Sequence, residues 1–361
     1  MTADLRNWAT GFLRRLSEAF GPSGYEEEVR RLLEEEVAGL IDRTLTDPMG
    51  NLICVREGKG PRVMLAAHMD EIGLMVKSVE DNGFIRFTRI GGVRSQLLPG
   101  RVAVIRTSDG KKIEGVIHQK PVQPSAPGQQ PKPPRIEDLF IDVGASNKEE
   151  VEGLGIKPGD PVVLKQGFTV VNGKVAVGKA MDDRTGCLAM ALALKLLKDE
   201  DIDAAVYAVG TVQEEVGVRG ATTAAYTVKP DFAIALDVTL AQDIPGASPA
   251  ERVTSLGKGP AVKLMDTGIV VNPRIRDFIA RVAEEEKIPY QPEILTRGGT
   301  DAYAIHLSRA GVLTGVISIP TRYVHSPTEM ISIDDLVNTA RLVAAVIRRV
   351  DRDVIAKLTP S

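Results

Sequence analysis

Short apolar runs that stop at acidic or histidine residues constrain this chain more than any other feature. Val63–Ala67 ends at His68-Met69-Asp70, and Ala204–Val212 leads into Gln213-Glu214-Glu215. Phe232–Leu236 is closed by Asp237, and Val312–Ile319 runs on to Arg322-Tyr323-Val324-His325. Such runs, bounded by polar residues, read as buried strands. Stretches with helical spacing separate them, at residues 184–198, 273–287, 300–310 and 334–351. Two more amphipathic helices are expected at 3–20 and 24–40, and Ser23 followed by Glu26 has the spacing of a capping box. Strands alternating with helices imply an α/β fold: a mixed, mostly parallel sheet with helices on both faces. At the carboxyl ends of parallel strands, side chains converge on one crevice. Two histidines and several carboxylates gathered there are the ingredients of a two-metal hydrolytic site.

Residues 70–164 follow a different grammar. Gly73–Val79, Phe84–Ile90, Val102–Thr107 and Lys112–His118 are short β-like runs separated by Gly, Asn and Asp, as in a small all-β unit. The expected organisation is a discontinuous catalytic domain, 1–69 and 165–361, interrupted by an inserted β domain, 70–164. Inside the insert, the loop 119–135 is rich in Pro and Gln and resists regular structure. It reads as a flexible excursion, either a tolerated surface loop or one that reaches a neighbouring subunit. Near the return to the main domain, Asn172-Gly173 between Val171 and Val175 predicts a hairpin with a type I′ turn.

Composition narrows the partners. A chain of 361 residues, 43% hydrophobic, can bury a large core. Its formal net charge of -3 offers no basic field, so no nucleic-acid partner is expected. The two cysteines, Cys54 and Cys187, make no disulfide framework or zinc-finger spacing, which fits a reducing cytoplasm. Met1–Phe20 lacks the unbroken apolar stretch of a signal peptide. The run Cys187–Leu197 is too short to span a bilayer. A cytoplasmic protein with no membrane partner is expected.

Each candidate site residue has a structural reading beside its chemical one. His68 and Asp70, two apart on a strand, share a face. Asp70 can therefore accept a hydrogen bond from His68 and fix its tautomer, or the two form an ordinary structural pair. Asp182-Asp183 precedes a helix. Capping explains one aspartate, whereas the two oxygens of Asp182 suit a bridge between cations. Glu214 and Glu215 at the end of a buried strand repel each other unless a cation or a proton separates them. One then ligates metal and the other moves protons; the alternative is an exposed acidic loop. Asp237 is a ligand or a turn residue. Of four histidines, His68 and His325 close strand-linked loops, while His118 and His306 are assigned to surface or packing roles. Gly298-Gly299-Thr300-Asp301 opens a helix, where backbone N–H groups can meet an anion or simply be capped.

Several stretches carry a family likeness: Gly21-Pro22-Ser23-Gly24-Tyr25-Glu26, Ala67-His68-Met69-Asp70-Glu71-Ile72-Gly73, Ala180-Met181-Asp182-Asp183-Arg184, Gln213-Glu214-Glu215-Val216-Gly217, Gly298-Gly299-Thr300-Asp301-Ala302 and Arg322-Tyr323-Val324-His325-Ser326-Pro327. In these the chain resembles the tetrahedral (TET-type) dinuclear metallo-aminopeptidases, which include glutamyl and deblocking aminopeptidases and proteins labelled endoglucanase M. The resemblance implies two divalent metal ions per subunit, zinc or cobalt. His68, Asp182 and Asp237 would hold one ion; Asp182, Glu215 and His325 would hold the other. It further implies Glu214 as general base and acid, Asp70 orienting His68, and a cis peptide between Asp182 and Asp183. Short peptides would be the substrates; the many apolar neighbours in the sequence, rather than the likeness, favour neutral, apolar N-terminal residues, with Arg297, Arg322 and Lys179 leaving an acidic side chain as the alternative. Gly299, Thr300, Asp301 and Arg322 are candidate substrate contacts, and Arg297 and Lys179 candidate partners for an acidic side chain. Self-association into a tetrahedral dodecamer by way of dimers also follows from the likeness.

The competing readings are a related metallo-deacylase or carboxypeptidase, a glycoside hydrolase, and an inactive assembly protein. A glycosidase needs two carboxylates but neither histidine, and a chain that is 4% aromatic with one Trp has few platforms for sugars.

Overall fold

The computed structural model describes residues 3–120 and 133–360. Residues 121–132, most of the Pro- and Gln-rich stretch, lie outside the described residues. Four parallel strands form the centre of the main sheet, in the order Ala205–Thr211, Arg62–His68, Phe232–Leu240 and Leu313–Arg322. Antiparallel strands extend both flanks: Leu52–Arg56 and Arg43–Thr46 on one side, Glu329–Ser332, Val175–Gly178 and Thr169–Val171 on the other. A branch of two more strands, Ala261–Met265 and Gln291–Ile294, leaves Leu313–Arg322.

The central strands are apolar along their whole length because both of their faces are covered. In Arg62–His68 the alternation is explicit. Val63, Leu65 and Ala67 pack into the large core with the helices Ala3–Glu18, Met181–Leu197 and Ile333–Arg349, while Met64 and Ala66 face a smaller core with Arg219–Val228. Met181–Leu197 is buried almost all round, a helix wedged between sheet and outer helices. Among the described residues, no helix is long and apolar enough to cross a membrane.

Between Gly73 and Leu164 the chain builds a closed six-stranded antiparallel barrel: Gly73–Val79, Ile85–Ile90, Leu139–Asp142, Lys112–Gln119, Val102–Arg106 and Pro161–Leu164. It has a core of its own, including Leu74, Ile85, Ile105, Ile117, Ile141 and Val162. The strands Leu139–Asp142 and Pro161–Leu164 were not separable in sequence, since each has only four residues and little alternation. The expected hairpin forms, with φ of 54° at Asn172 and 63° at Gly173. The helix expected at 300–310 is shorter, Ala302–His306.

The capping box at Ser23 and Glu26 is not made. Helix Glu27–Val37 starts without a side-chain cap. Instead the Ser23 hydroxyl donates to Asp70 Oδ2 at 2.6 Å. Glu26 Oε1 accepts the N–H groups of Gly24 at 2.7 Å and Gln213 at 3.2 Å. A local pattern has been taken over by tertiary contacts, and Gly21–Glu26 becomes a tie between two distant loops. Burial, then the nearby charge of Asp70, pushes the Glu26 carboxyl up to about 7 from 4.5. The folded protein thus holds this proton more tightly than the unfolded chain. The associated stability is present below pH 4.5 and is lost as pH rises through about 7. In chelator-treated protein, Glu26→Gln is expected to flatten the fall in urea midpoint over that window. An identical pH slope in the variant would contradict the assignment.

Candidate metal centre

Five elements deliver the residues that close the apolar runs. His68 ends Arg62–His68 and pairs in register with Thr211, so Glu214 and Glu215 follow directly on the adjacent strand. Asp237 lies in Phe232–Leu240, and His325 follows Leu313–Arg322. Asp182 stands at the head of Met181–Leu197, where Asp182 and Asp183 have non-helical torsions, so regular helix begins at Arg184. The Asp182–Asp183 peptide is cis.

The five candidate ligands come together in two overlapping groups. Asp182 turns one oxygen to each histidine: Oδ1 is 3.0 Å from His68 Nε2, and Oδ2 is 3.3 Å from His325 Nε2. Asp237 Oδ1 lies 3.9 Å from His68 Nε2, and Glu215 Oε2 lies 3.3 Å from His325 Nε2. Within His68, Asp182 and Asp237, and within Asp182, Glu215 and His325, donor atoms fall within 4.8 Å of one another. Crowding and burial dominate the electrostatics. Burial, followed by neighbouring carboxylates, lifts Asp237 well above the usual carboxylate range; burial likewise lifts Glu214 and Glu215. For Asp182, burial acts the same way, but hydrogen bonds from His325 and His68 outweigh it and hold the carboxyl low. His325 is destabilised as a cation by burial, yet Asp182 and Glu215 push it up to about 11. Acids and imidazoles this crowded favour holding protons or, in their place, cations.

Around these groups lies a second set of hydrogen bonds. His68 Nδ1 faces the main-chain oxygen of Asp70 at 3.0 Å and its Oδ1 at 3.6 Å, so the nearer partner is the carbonyl. The Asp70 carboxylate mainly accepts the N–H groups of Glu214 at 2.9 Å and Glu215 at 3.1 Å. Glu329, which sequence reasoning missed, does the same on the other side. Its Oε1 accepts His325 N–H at 2.8 Å and its Oε2 accepts Asp182 N–H at 3.1 Å. The available signal was a lone acid opening the short strand Glu329–Ser332. Gly92, from the barrel, is equally hidden in sequence: a Cβ there would sit 2.4 Å from His325 Nδ1.

An open cleft of about 400 Å³ fronts both groups, lined among others by Glu214, Glu215, Asp237, Leu295, Arg297, Gly299 and His325. Thr300, Asp301 and Arg322 do not line it. Thr300 and Asp301 are each 2% exposed, and Asp301 accepts the Thr211 hydroxyl behind the site. The Arg322 guanidinium is held by Asp243 at 2.6 and 2.8 Å, an acid too distant in sequence to be anticipated. Lys179 is likewise engaged, with Glu71 at 2.6 Å. A larger groove of about 1160 Å³ beside the cleft contains none of the ligand-type residues brought together here.

Known proteins share this arrangement of fold and sequence. The sequence model of the M42 glutamyl aminopeptidase family matches residues 50–342. A lysyl aminopeptidase of Pyrococcus furiosus is 36% identical over 93% of this chain and 95% of its own length. The structure of aminopeptidase APDkam598 from Desulfurococcus kamchatkensis superposes with a TM-score of 0.94 at 41% identity, covering 99% of each chain. The TET1 peptidase of Pyrococcus horikoshii, described as assembling into a tetrahedron or a large octahedral shell, gives 0.85 at 34% identity over 95% of this chain and all of its own. With a family match that spans most of its length and relatives alike from end to end, the chain belongs to the M42 peptidase family.

Proposed function

We propose that this M42 peptidase removes N-terminal residues from short peptides, with two divalent metal ions bound side by side and Glu214 as general base. The observation that carries the proposal is Asp182, whose two oxygens are directed to different histidines, each with one further carboxylate nearby. The donor set fits. Each group offers one imidazole and two carboxylates, which suits zinc or cobalt. Glu215 Oε1 is buried with no hydrogen-bond partner among the described residues, an acceptor that a cation would satisfy. Bound there, two cations would supply Lewis acidity and an acidified water.

The chain's own residues do the rest. Glu214 lines the cleft, with its backbone fixed by Asp70. Its carboxyl is raised by burial and neighbouring acids, which suits a group that takes a proton from the attacking water and passes it to the leaving amine. Acidic oxygens at the cleft floor match the positive charge of a free α-amine, favouring cleavage at an unblocked N-terminus. His68 and His325 are held in place from behind by Asp70 and Glu329.

By likeness to the Pyrococcus horikoshii peptidase, we also assign self-association into a tetrahedral dodecamer through dimers. The barrel's separate core supports division of the chain into 1–69 with 165–361 and an inserted domain, 70–164. Two buried, unpaired cysteines support residence in a reducing cytoplasm.

Glu214→Gln is expected to keep its full metal content and lose about 10²–10⁴-fold in kcat on aminoacyl-anilides. Metal analysis and steady-state assays on the same sample decide this; loss of metal would recast Glu214 as a ligand. Gly92→Ala drives a methyl group into the His325 ring. Bound metal should then fall towards one ion per subunit in a folded protein. Two retained ions with wild-type turnover would remove His325 from the ligand set. Matched peptides with free and acetylated N-termini separate an aminopeptidase from a deacylase.

A further inference from the structure

Behind the glycines of the cleft wall lies a group of charges that supplies no ligand to the proposed metal centre. Lys263, Asp266 and Glu293 are 0–3% exposed. Lys263 Nζ lies 3.1 Å from Asp266 Oδ2 and 2.9 Å from Glu293 Oε1. Asp266 Oδ1 accepts the N–H groups of Gly268 at 2.8 Å and Ile269 at 3.0 Å, which fixes the turn that follows it. Thr267 sits in that turn. Its hydroxyl donates to the Gly298 carbonyl at 2.5 Å, and its own N–H donates to the same oxygen at 3.1 Å. That carbonyl thus accepts two hydrogen bonds from one residue.

The Gly298–Gly299 peptide is trans. In a trans peptide the N–H points opposite to the C=O. Locking the Gly298 carbonyl onto Thr267 therefore aims the Gly299 N–H away from Thr267, and Gly299 is among the residues that line the cleft. The Gly299 N–H has no acceptor among the described residues. Gly298 itself has φ of 95°, which glycine adopts without strain.

We propose that Thr267, held by the buried Lys263–Asp266–Glu293 cluster, is a positioning residue that presents the Gly299 N–H to a main-chain carbonyl of the bound peptide. This rests on the peptidase reading above. Because the donor meets a carbonyl already present in the bound substrate, its loss affects binding more than turnover.

The test uses the metal-loaded protein and a tripeptide substrate. Thr267→Val keeps the side-chain volume at an exposed position but removes the hydroxyl. It should raise KM by about five- to tenfold, with kcat within about twofold, as expected for one hydrogen bond. Metal content and Tm should match wild type, and hydrogen exchange in 296–300 should quicken. Thr267→Ser should restore wild-type KM, and Asp266→Asn should shift KM in the same direction as Thr267→Val. An unchanged KM in Thr267→Val, or a Thr267→Ser variant as impaired as the valine, overturns the proposal. A metal-loaded wild type that leaves all peptides intact overturns the peptidase reading itself.

Discussion

Negative charge packed at the carboxyl ends of parallel strands is the condition that the rest of this molecule answers. Asp70, Asp182, Glu214, Glu215, Asp237 and Asp301 are all withdrawn from bulk water around one crevice. Carboxylates that close stay together only if something else supplies positive charge or hydrogen bonds. Part of the supply comes from the backbone. Asp70 collects the N–H groups of Glu214 and Glu215, Glu329 those of Asp182 and His325, and Glu26 that of Gln213. The acids not facing the cleft thus hold the chain segments that carry the acids facing it. Preorganisation of this kind lets ligand atoms keep their places before any ion arrives.

Cations farther out repeat the theme. Arg184 is fully buried; its guanidinium donates to the carbonyls of Leu16 at 2.7 Å and Gly21 at 3.2 Å, and lies 3.4 Å from Glu71. Lys179 reaches the same Glu71 and the Ala19 carbonyl. These contacts bind the first helix and the Gly21–Glu26 segment to the base of the helix Met181–Leu197. Removing one partner from such a group leaves another charge stranded out of water, so the cluster acts as a unit.

Much of this was legible in the sequence, for a physical reason. The central strands are buried on two faces and so carry uninterrupted apolar runs, and the residues that close them had to converge once those runs became parallel. His68, Glu215, Asp237 and His325 belong to the ends of such runs, whereas Asp182 opens a helix; their grouping as ligands came from the family likeness. What escaped is whatever depends on contacts between distant segments. Ser23 and Glu26 carry a local capping signal, but Asp70 and Gln213 offer their polar groups better partners. Glu329 and Gly92 reveal themselves only through their distance to His325. Arg322, free by sequence, is neutralised by Asp243, and Thr300 and Asp301 turn inward because the short helix after them packs against the sheet.

The strand Gln291–Ile294 pairs on one side only among the described residues, with Ala261–Met265, and runs straight into the loop that walls the cleft. An open strand edge invites any extended chain to add itself as the next strand. An enzyme that handles extended peptides would meet that hazard at every encounter. Pro292 withholds a backbone donor in the middle of this edge. Substrate backbones are thereby discouraged from lodging as an extra strand at the threshold, and the way inward stays clear.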